Sequence, residues 1–406
     1  MTPRAYVLRA PWPPVPIHLD AGALGLDDRA ARDVGAAVGV VLRADGLADG
    51  EALWLDGAGW ISSRTGSPVA GAGSRSRVVA CSVAGLEALV RAARDAHPPL
   101  GATLAGALDA LRRRAPSWDL PSGRFPLPGG ARVVLMGILN VTPDSFSDGG
   151  RFMEPSAALD HALGLAARGA QIIDVGGEST RPGAAPVPVE EELRRVVPVV
   201  SALRRGLPAG VILSVDTMKA VVARAAVEAG AGIINDVSAL GADPAMAETA
   251  AASGAGVILN HMRGTPMTMQ EAPRYEGVLP EVISDLAAAM ETAARAGIPP
   301  DRIAIDPGIG FGKRPADNEV LLRHLAALAS FGRPVAVGVS RKSFLGRRSP
   351  DAGPTGEARA DSTLAAESLA VASGAHILRT HDPERARRAA LVAATHLSYH
   401  PEQDRC

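Results

Sequence analysis

At 406 residues, with 47% hydrophobic and 21% charged side chains, the chain has material for two or three domains and too much apolar content for wholesale disorder. Its 42 Lys+Arg against 43 Asp+Glu leave a formal net charge of -1, which excludes the broad basic surface of a nucleic-acid binder. Any anionic ligand must be held by a local cluster. Cys81 and Cys406 form no CxxC pair, and no His/Cys spacing fits a zinc site. Prolines at 11, 13, 14 and 16 interrupt the opening segment where a signal peptide needs an apolar stretch. Apolar runs elsewhere stop short of the ~18 residues of a membrane span, so a soluble cytoplasmic protein is expected.

In chain order, Val38–Arg43 and Glu51–Leu55 read as strands, and Arg77–Ala96 as a strand, a turn and an amphipathic helix. A further helix is expected over Ala102–Arg114. Residues 1–120 therefore predict a small α/β extension, whose plainest role is packing or oligomerisation because no dense polar cluster occurs there. The composition shifts near residue 120, and Pro121–Gly130 reads as the joint. Beyond it, over 121–406, β-branched runs alternate with alanine-rich stretches of helical period. The strands are expected at Val133–Asn140, Gln171–Gly176, Val211–Asp216, Gly232–Asp236, Gly256–His261, Arg302–Asp306, Pro334–Ser340 and Ala375–Thr380. Helices are expected after each: Ser156–Arg168, Val189–Arg204, Lys219–Ala229, Pro244–Ser253, Val278–Ala296, Asn318–Ala329, Asp361–Ser373 and Pro383–Leu397. Eight such units in succession predict a (β/α)8 TIM barrel rather than an open doubly wound sheet.

That fold places active sites at the C-terminal strand ends. There the sequence sets Asn140, Asp174, Asp216, Asn235-Asp236, Asn260-His261, Asp306, Ser340-Arg341-Lys342-Ser343 and Arg379-Thr380-His381-Asp382, which together imply a ring of carboxylates, amides and bases around one cavity. Lysine is scarce: Lys219, Lys313 and Lys342 are all there are. Gly308-Ile309-Gly310-Phe311-Gly312-Lys313 is rich in glycine but has neither the third glycine of a dinucleotide fingerprint nor the Ser/Thr that follows a phosphate-loop lysine. Long Gly-, Pro- and Ser-rich loops, Val141–Met153 and Gly177–Val187, read as lids.

The run Met136-Gly137-Ile138-Leu139-Asn140-Val141-Thr142-Pro143-Asp144-Ser145-Phe146-Ser147-Asp148 closely resembles the first signature of dihydropteroate synthases, which join a pterin to p-aminobenzoate. Gly169–Gly183, Asp306–Lys313, Ser340–Ser343 and Arg379–Asp382 complete a set spanning roughly 121–400. The resemblance implies a homodimeric folate-pathway transferase with Mg2+ as its cofactor, held in part by Asn140. It implies pterin contacts from Asp216, Asn235, Asp306 and Lys342, and diphosphate contacts from Asn140, Arg379 and His381. It further implies a p-aminobenzoate site of Phe146, Thr180, Arg181, Pro182 and Ser343, with Asp148, Arg181, Lys342, Arg379 and His381 carrying the catalysis. Those types suit the chemistry: a guanidine-like pterin edge calls for carboxylate and amide acceptors opposite a cationic donor, and a diphosphate calls for bidentate bases and a hard cation. Ser343 and the N-terminus of a following helix are expected to hold the arylamine's carboxylate. A helix N-cap is the competing reading of Asp216, and a pairing with Asp382 or another rim acid that of Arg379. Asn260 stands where the family commonly has methionine, which alters how the pterin face is packed. Two other functions share part of this pattern: a pterin-dependent corrinoid methyltransferase and a catalytically silent pterin-binding paralogue.

Overall fold

A computed structural model describes residues 4–9, 40–47, 61–65, 75–81, 83–112, 117–125, 127, 133–142, 154–347 and 357–398. The chain divides into two compact units: Met1–Arg114 with Tyr275–Glu281 and Arg323–Arg333, and Ala115–Arg274 with Val282–Leu322 and Pro334–Cys406. No helix among the described residues is long and apolar enough to cross a membrane.

In the first unit, strands β1 (Arg4–Arg9), β2 (Val40–Leu47), β3 (Ile61–Thr65) and β4 (Arg75–Cys81) form an antiparallel sheet in the order β1-β2-β4-β3. Helices α1 (Val83–Ala96) and α2 (Pro98–Arg112) follow. They press together at Gly101, where a Cβ would lie 2.6 Å from Arg94 Cα. Neither β1 nor β3 is legible in the sequence. The segment Ile61-Ser62-Ser63-Arg64-Thr65 has no apolar alternation and is a strand because it pairs along β4, from Ile61 opposite Ala80 to Thr65 opposite Ser76. The expected strand Glu51–Leu55 lies outside the described residues.

The second unit is the (β/α)8 barrel. Its parallel strands are β7 (Val134–Asn140), β8 (Ile172–Gly176), β9 (Ile212–Asp216), β10 (Ile233–Asp236), β11 (Gly256–Asn260), β12 (Ile303–Asp306), β13 (Ala336–Val337) and β14 (Ile377–Thr380). They pair in the order β12-β11-β10-β9-β8-β7-β14-β13, and a parallel bridge from Ile305 to Val335 closes the ring. The intervening helices are α3 (Pro155–Ala167), α4 (Val189–Gly206), α5 (Ala220–Ala229), α6 (Met246–Ser253), α7 (Val278–Arg295), α8 (Pro315–Arg323), α9 (Glu357–Ala372) and α10 (Pro383–Ser398). Most strands are buried along their whole length, as parallel strands covered by helices must be.

Two elements differ from expectation. Strand β13 has two residues, not the seven of Pro334–Ser340, because beyond Val337 the chain packs Gly338 against Arg379 and then turns, Lys342 N donating to Val339 O. The helix expected over Asn318–Ala329 starts earlier, at Pro315, and gives way to a 3-10 turn at Leu325–Phe331. Asp317 fixes the early start by accepting the Arg314 backbone N–H at 2.8 Å.

The stretch read as a joint is in part structural. Strands β5 (Trp118–Leu120) and β6 (Gly123–Phe125) form a hairpin whose Trp118 and Leu120, with Leu127, pack on Val134, Ile172, Ile233 and Ile377 at the strand starts. Trp118 Nε1 donates to Arg302 O at 2.8 Å. Gly256 clears the way for Leu120, whose Cδ2 would stand 2.3 Å from a Cβ there. The hairpin therefore plugs the N-terminal mouth of the barrel. Trp118→Ala is expected to cost about 3–5 kcal/mol, read as a lowered denaturation midpoint by far-UV circular dichroism. Gly256→Ala should also destabilise, whereas a stability unchanged in both would mean that the hairpin seals nothing.

Candidate active site

At the opposite mouth lies a cavity of about 760 Å³, lined among others by Asn140, Thr180, Arg181, Pro182, Asp216, Lys342, Ser343, Arg379 and His381. Nine of the predicted site residues thus meet in one place. Asn235 and Asp306 lie just outside that lining, while Asp148 and Phe146 lie outside the described residues.

Strand register explains the convergence. Asn140 pairs with Gly176, Gly176 with Asp216 and Asp216 with Asn235, and separately Asn260 with Asp306, while across β10–β11 Asn235 pairs with Ile258, so the polar strand ends form two in-register groups offset by two residues. On that floor Arg379 Nε donates to Asp174 Oδ2 at 2.6 Å and Nη2 to Asp216 Oδ2 at 2.7 Å, while Asn235 Nδ2 donates to Asp174 Oδ2 at 3.1 Å. Asp174 is wholly buried and Asp216, Asn235 and Asp306 nearly so. Asp216 is no helix cap: Asp243 Oδ2 accepts the Ala220 N–H at the start of α5. Arg379 does not seek Asp382, whose Oδ1 accepts the Arg385 N–H in α10, but the competing reading holds in part, since Arg379 pairs with the acids Asp174 and Asp216.

The charges follow from this burial. Desolvation lifts the Asp216 carboxyl to about 7 against the pull of Arg379, with Asp174 adding to the rise. Asp306 rises to about 6, burial outweighing the Gly308 N–H that it accepts at 2.7 Å. Burial and then Arg379 bring Lys342 down to about 8. Arg379 stays above its ordinary value because Asp174 and Asp216 outweigh its own desolvation. His381, desolvated and beside Arg341 and Arg379, falls to about 3 and is neutral at physiological pH. Ser340 Oγ accepts the His381 backbone N–H at 3.2 Å and lies 3.0 Å from its Nδ1. With the hydroxyl proton directed at Nδ1, the imidazole keeps its own proton on Nε2.

Several residues at the site received no individual role from the sequence. Asp174, named there only as a member of the polar ring, interrupts the apolar run Ile172-Ile173-Asp174-Val175. Phe311 places its ring centroid 3.9 Å from Lys342 Nζ. Arg341, a non-glycine residue with φ of 59°, is held by its N–H to Thr363 Oγ1 at 3.2 Å, and Arg359 Nη1 donates to Lys342 O at 3.0 Å. The loop carrying Thr180–Pro182 is anchored at its base: Arg195 Nη1 donates to Gly177 O at 2.9 Å, and Lys219 binds both Glu178 and Glu192. Ser343 lines the cavity and opens a helix, but a five-residue 3-10 helix, Ser343–Arg347, and not an α-helix.

For a divalent metal, the described residues contain no cluster of three or more His, Cys, Asp or Glu side chains. Asn140 offers one hard oxygen to the cavity. That suits Mg2+, which keeps waters and substrate phosphate oxygens among its ligands.

Residues 136–381 match the family model described as pterin binding enzyme. The chain is 47% identical over 264 residues to the dihydropteroate synthase of Escherichia coli K12, covering 65% of this chain and 92% of that protein. It is 43% identical over 274 residues to that of Synechocystis, covering 68% and 93%. Among solved structures, Yersinia pestis dihydropteroate synthase with a sulfonamide drug superposes with a TM-score of 0.64 at 41% identity, covering 70% of this chain and all (100%) of that one. The Xanthomonas albilineans enzyme in complex with 7,8-dihydropteroate gives 0.62 at 42% identity, with coverage of 70% and 100%.

Asp174→Ala should leave Arg379 with Asp216 alone and Asn235 Nδ2 without its acceptor, at a cost of about 1–3 kcal/mol measured by chemical denaturation, since buried donors lose their partner. An unaltered midpoint would show that the floor does not depend on this pair.

Proposed function

The chain belongs to the dihydropteroate synthase family of pterin-binding enzymes, and we propose that it condenses 6-hydroxymethyl-7,8-dihydropterin diphosphate with p-aminobenzoate to give 7,8-dihydropteroate and diphosphate. The observation that supports this most is the juxtaposition on one floor of three buried carboxylates, Asn235, Arg379 and Lys342. A heterocycle bearing ring N–H and amino donors finds acceptors in Asp216, Asn235 and Asp306, and its carbonyl faces Lys342. Nearer the rim the diphosphate meets the remaining guanidinium donors of Arg379 and the Nε2–H of His381. Mg2+ bound at Asn140 and the phosphate oxygens would neutralise charge on the leaving group.

Because His381 is neutral, it contributes a hydrogen bond and not a charge. The positive field at the leaving diphosphate comes from Arg379 and Lys342, and a bound Mg2+ would add to it. Thr180, Arg181, Pro182 and Ser343 flank the arylamine, and the loop that carries Thr180–Pro182 keeps water from the electron-poor pterin methylene while the amine attacks. Phe146 and Asp148, outside the described residues, are assigned to this subsite by the family resemblance alone. No nucleophilic side chain is required. The same reading includes a cytoplasmic homodimer. Self-association is supported by large apolar side chains left exposed on α9 and α10, Leu369 at 57%, Leu391 at 60% and Val392 at 68%. Residues 1–120 are read as a packing or oligomerisation extension.

Incubation of purified protein with the pterin diphosphate, p-aminobenzoate and Mg2+, with mass detection of dihydropteroate, tests the activity, and no product under any Mg2+ concentration would refute it. Lys342→Ala and Arg379→Ala should each lower turnover by more than about a hundredfold. With Lys342 brought down to about 8, its ammonium is present below that pH and lost above it, so kcat/KM for the pterin diphosphate should fall on the alkaline side near pH 8. In Lys342→Arg, which stays charged, the alkaline limb should move away, and a limb left in place would assign it to another group. Asn260 is buried, with an Oδ1 that has no hydrogen-bond partner among the described residues. Asn260→Met should change KM for the pterin diphosphate without abolishing turnover, and an unaltered KM would remove Asn260 from the pterin face.

A further inference from the structure

The loop Gly308–Lys313 fits neither nucleotide signature and has no role in the reaction as described, yet it is fitted closely to its surroundings. Gly308, Gly310 and Gly312 have φ of 68°, 85° and 63°. A Cβ on Gly308 would stand 1.7 Å from His261 O, and one on Gly312 2.2 Å from Arg263 O. On the other side, a Cβ on Gly310 would lie 2.9 Å from Lys342 Cδ. The loop is thus pressed between the chain leaving β11 and the aliphatic stem of Lys342. Only glycine combines this backbone with this clearance.

Lys313 closes the loop. Its side chain is buried, and Nζ donates to Phe311 O at 3.0 Å, approaches His261 O at 3.4 Å and meets His261 Nδ1 at 2.9 Å. Nε2 of the same imidazole lies 3.0 Å from Asp285 Oδ2, which Arg263 Nη2 also contacts at 3.0 Å. If Lys313 donates to Nδ1, the imidazole proton lies on Nε2 and points at Asp285, so every polar atom of the set is matched. An unbranched apolar side chain would fill the same space with no desolvation cost. What the ammonium adds is direction, because it draws two backbone carbonyls, one from the chain leaving β11 and one from the glycine loop, to one point. Phe311, whose carbonyl is one of them, presents its ring to Lys342 Nζ.

We propose that Lys313 is a positioning residue for Lys342: by joining the carbonyls of His261 and Phe311, it holds the glycine loop in the shape that sets the Phe311 ring against the Lys342 ammonium and steers that ammonium into the cavity. This rests on the reading of the cavity as the pterin diphosphate site. Lys313 itself does not line the cavity. Its influence passes through Phe311.

A double-mutant cycle on the full chain tests the inference, with kcat and KM for both substrates measured in wild type, Lys313→Met, Phe311→Leu and the double variant. Each single variant should raise KM for the pterin diphosphate about tenfold, and the double variant should be little worse than either, because both disable the same support. A purely structural lysine would lower the denaturation midpoint and leave KM and the alkaline limb of the pH profile in place. Should Lys313→Met fail to accumulate folded, Lys313→Gln, which keeps one donor, enters the same cycle. Wild-type kinetics in the Lys313 variant, or losses that multiply in the double variant while the wild type turns over, overturn the inference alone. A wild type with no turnover overturns the reading of the cavity and the inference with it.

Discussion

A guanidinium lodged between two buried carboxylates is the constraint on which the rest of the site depends. Arg379 cannot leave Asp174 and Asp216 without exposing uncompensated charge in a low-dielectric floor, and neither carboxylate can leave it. Three strands, β8, β9 and β14, are therefore tied to one another by side chains as well as by their ladders. Asn235 adds β10 through Asp174. A rigid floor of this kind keeps its dipoles oriented before substrate arrives, which is what electrostatic stabilisation of a leaving group needs.

The barrel was legible because its signal is repeated: eight buried, β-branched runs, nearly all ending in a polar residue, admit few arrangements. Within the described residues, Asn140, Asp216, Lys342, Arg379 and His381, named from strand ends, do line one cavity, since register in a parallel sheet follows from the apolar pattern. What failed to show were side chains whose roles depend on who stands opposite. Asp174 sits inside an apolar run, but only the placement of Arg379 across the barrel makes it a counter-ion. Phe311 looks like any core aromatic until Lys342 is found above its ring. Asp216 was ambiguous because a carboxylate before a helix has a local use as a cap, and Asp243, distant in sequence, has taken that task. Ser343 is expected at a helix start and does begin one, but the sequence did not show that it would be a short 3-10 helix.

The three lysines teach a similar lesson. In a chain that otherwise uses arginine, each sits near the catalytic mouth with a distinct duty. Lys219 bridges Glu178 and Glu192 at the root of the second loop, Lys313 is sunk beneath the glycine loop, and Lys342 reaches the cavity. A compact ammonium with three rotatable donors can gather acceptors that approach from unrelated directions, which a planar fork cannot. Scarcity pointed to them, but only their partners say why.

The hairpin beneath the barrel has a consequence for modularity. Composition suggests cutting the chain where the tryptophans end, yet Trp118 and Leu120 on one side of that cut and Leu127 on the other are neighbours in a single apolar layer. A chain shortened at this point would present the ends of its innermost strands to water. The barrel's inheritable unit accordingly starts upstream of its first βα repeat, and anything spliced onto it must respect that earlier beginning.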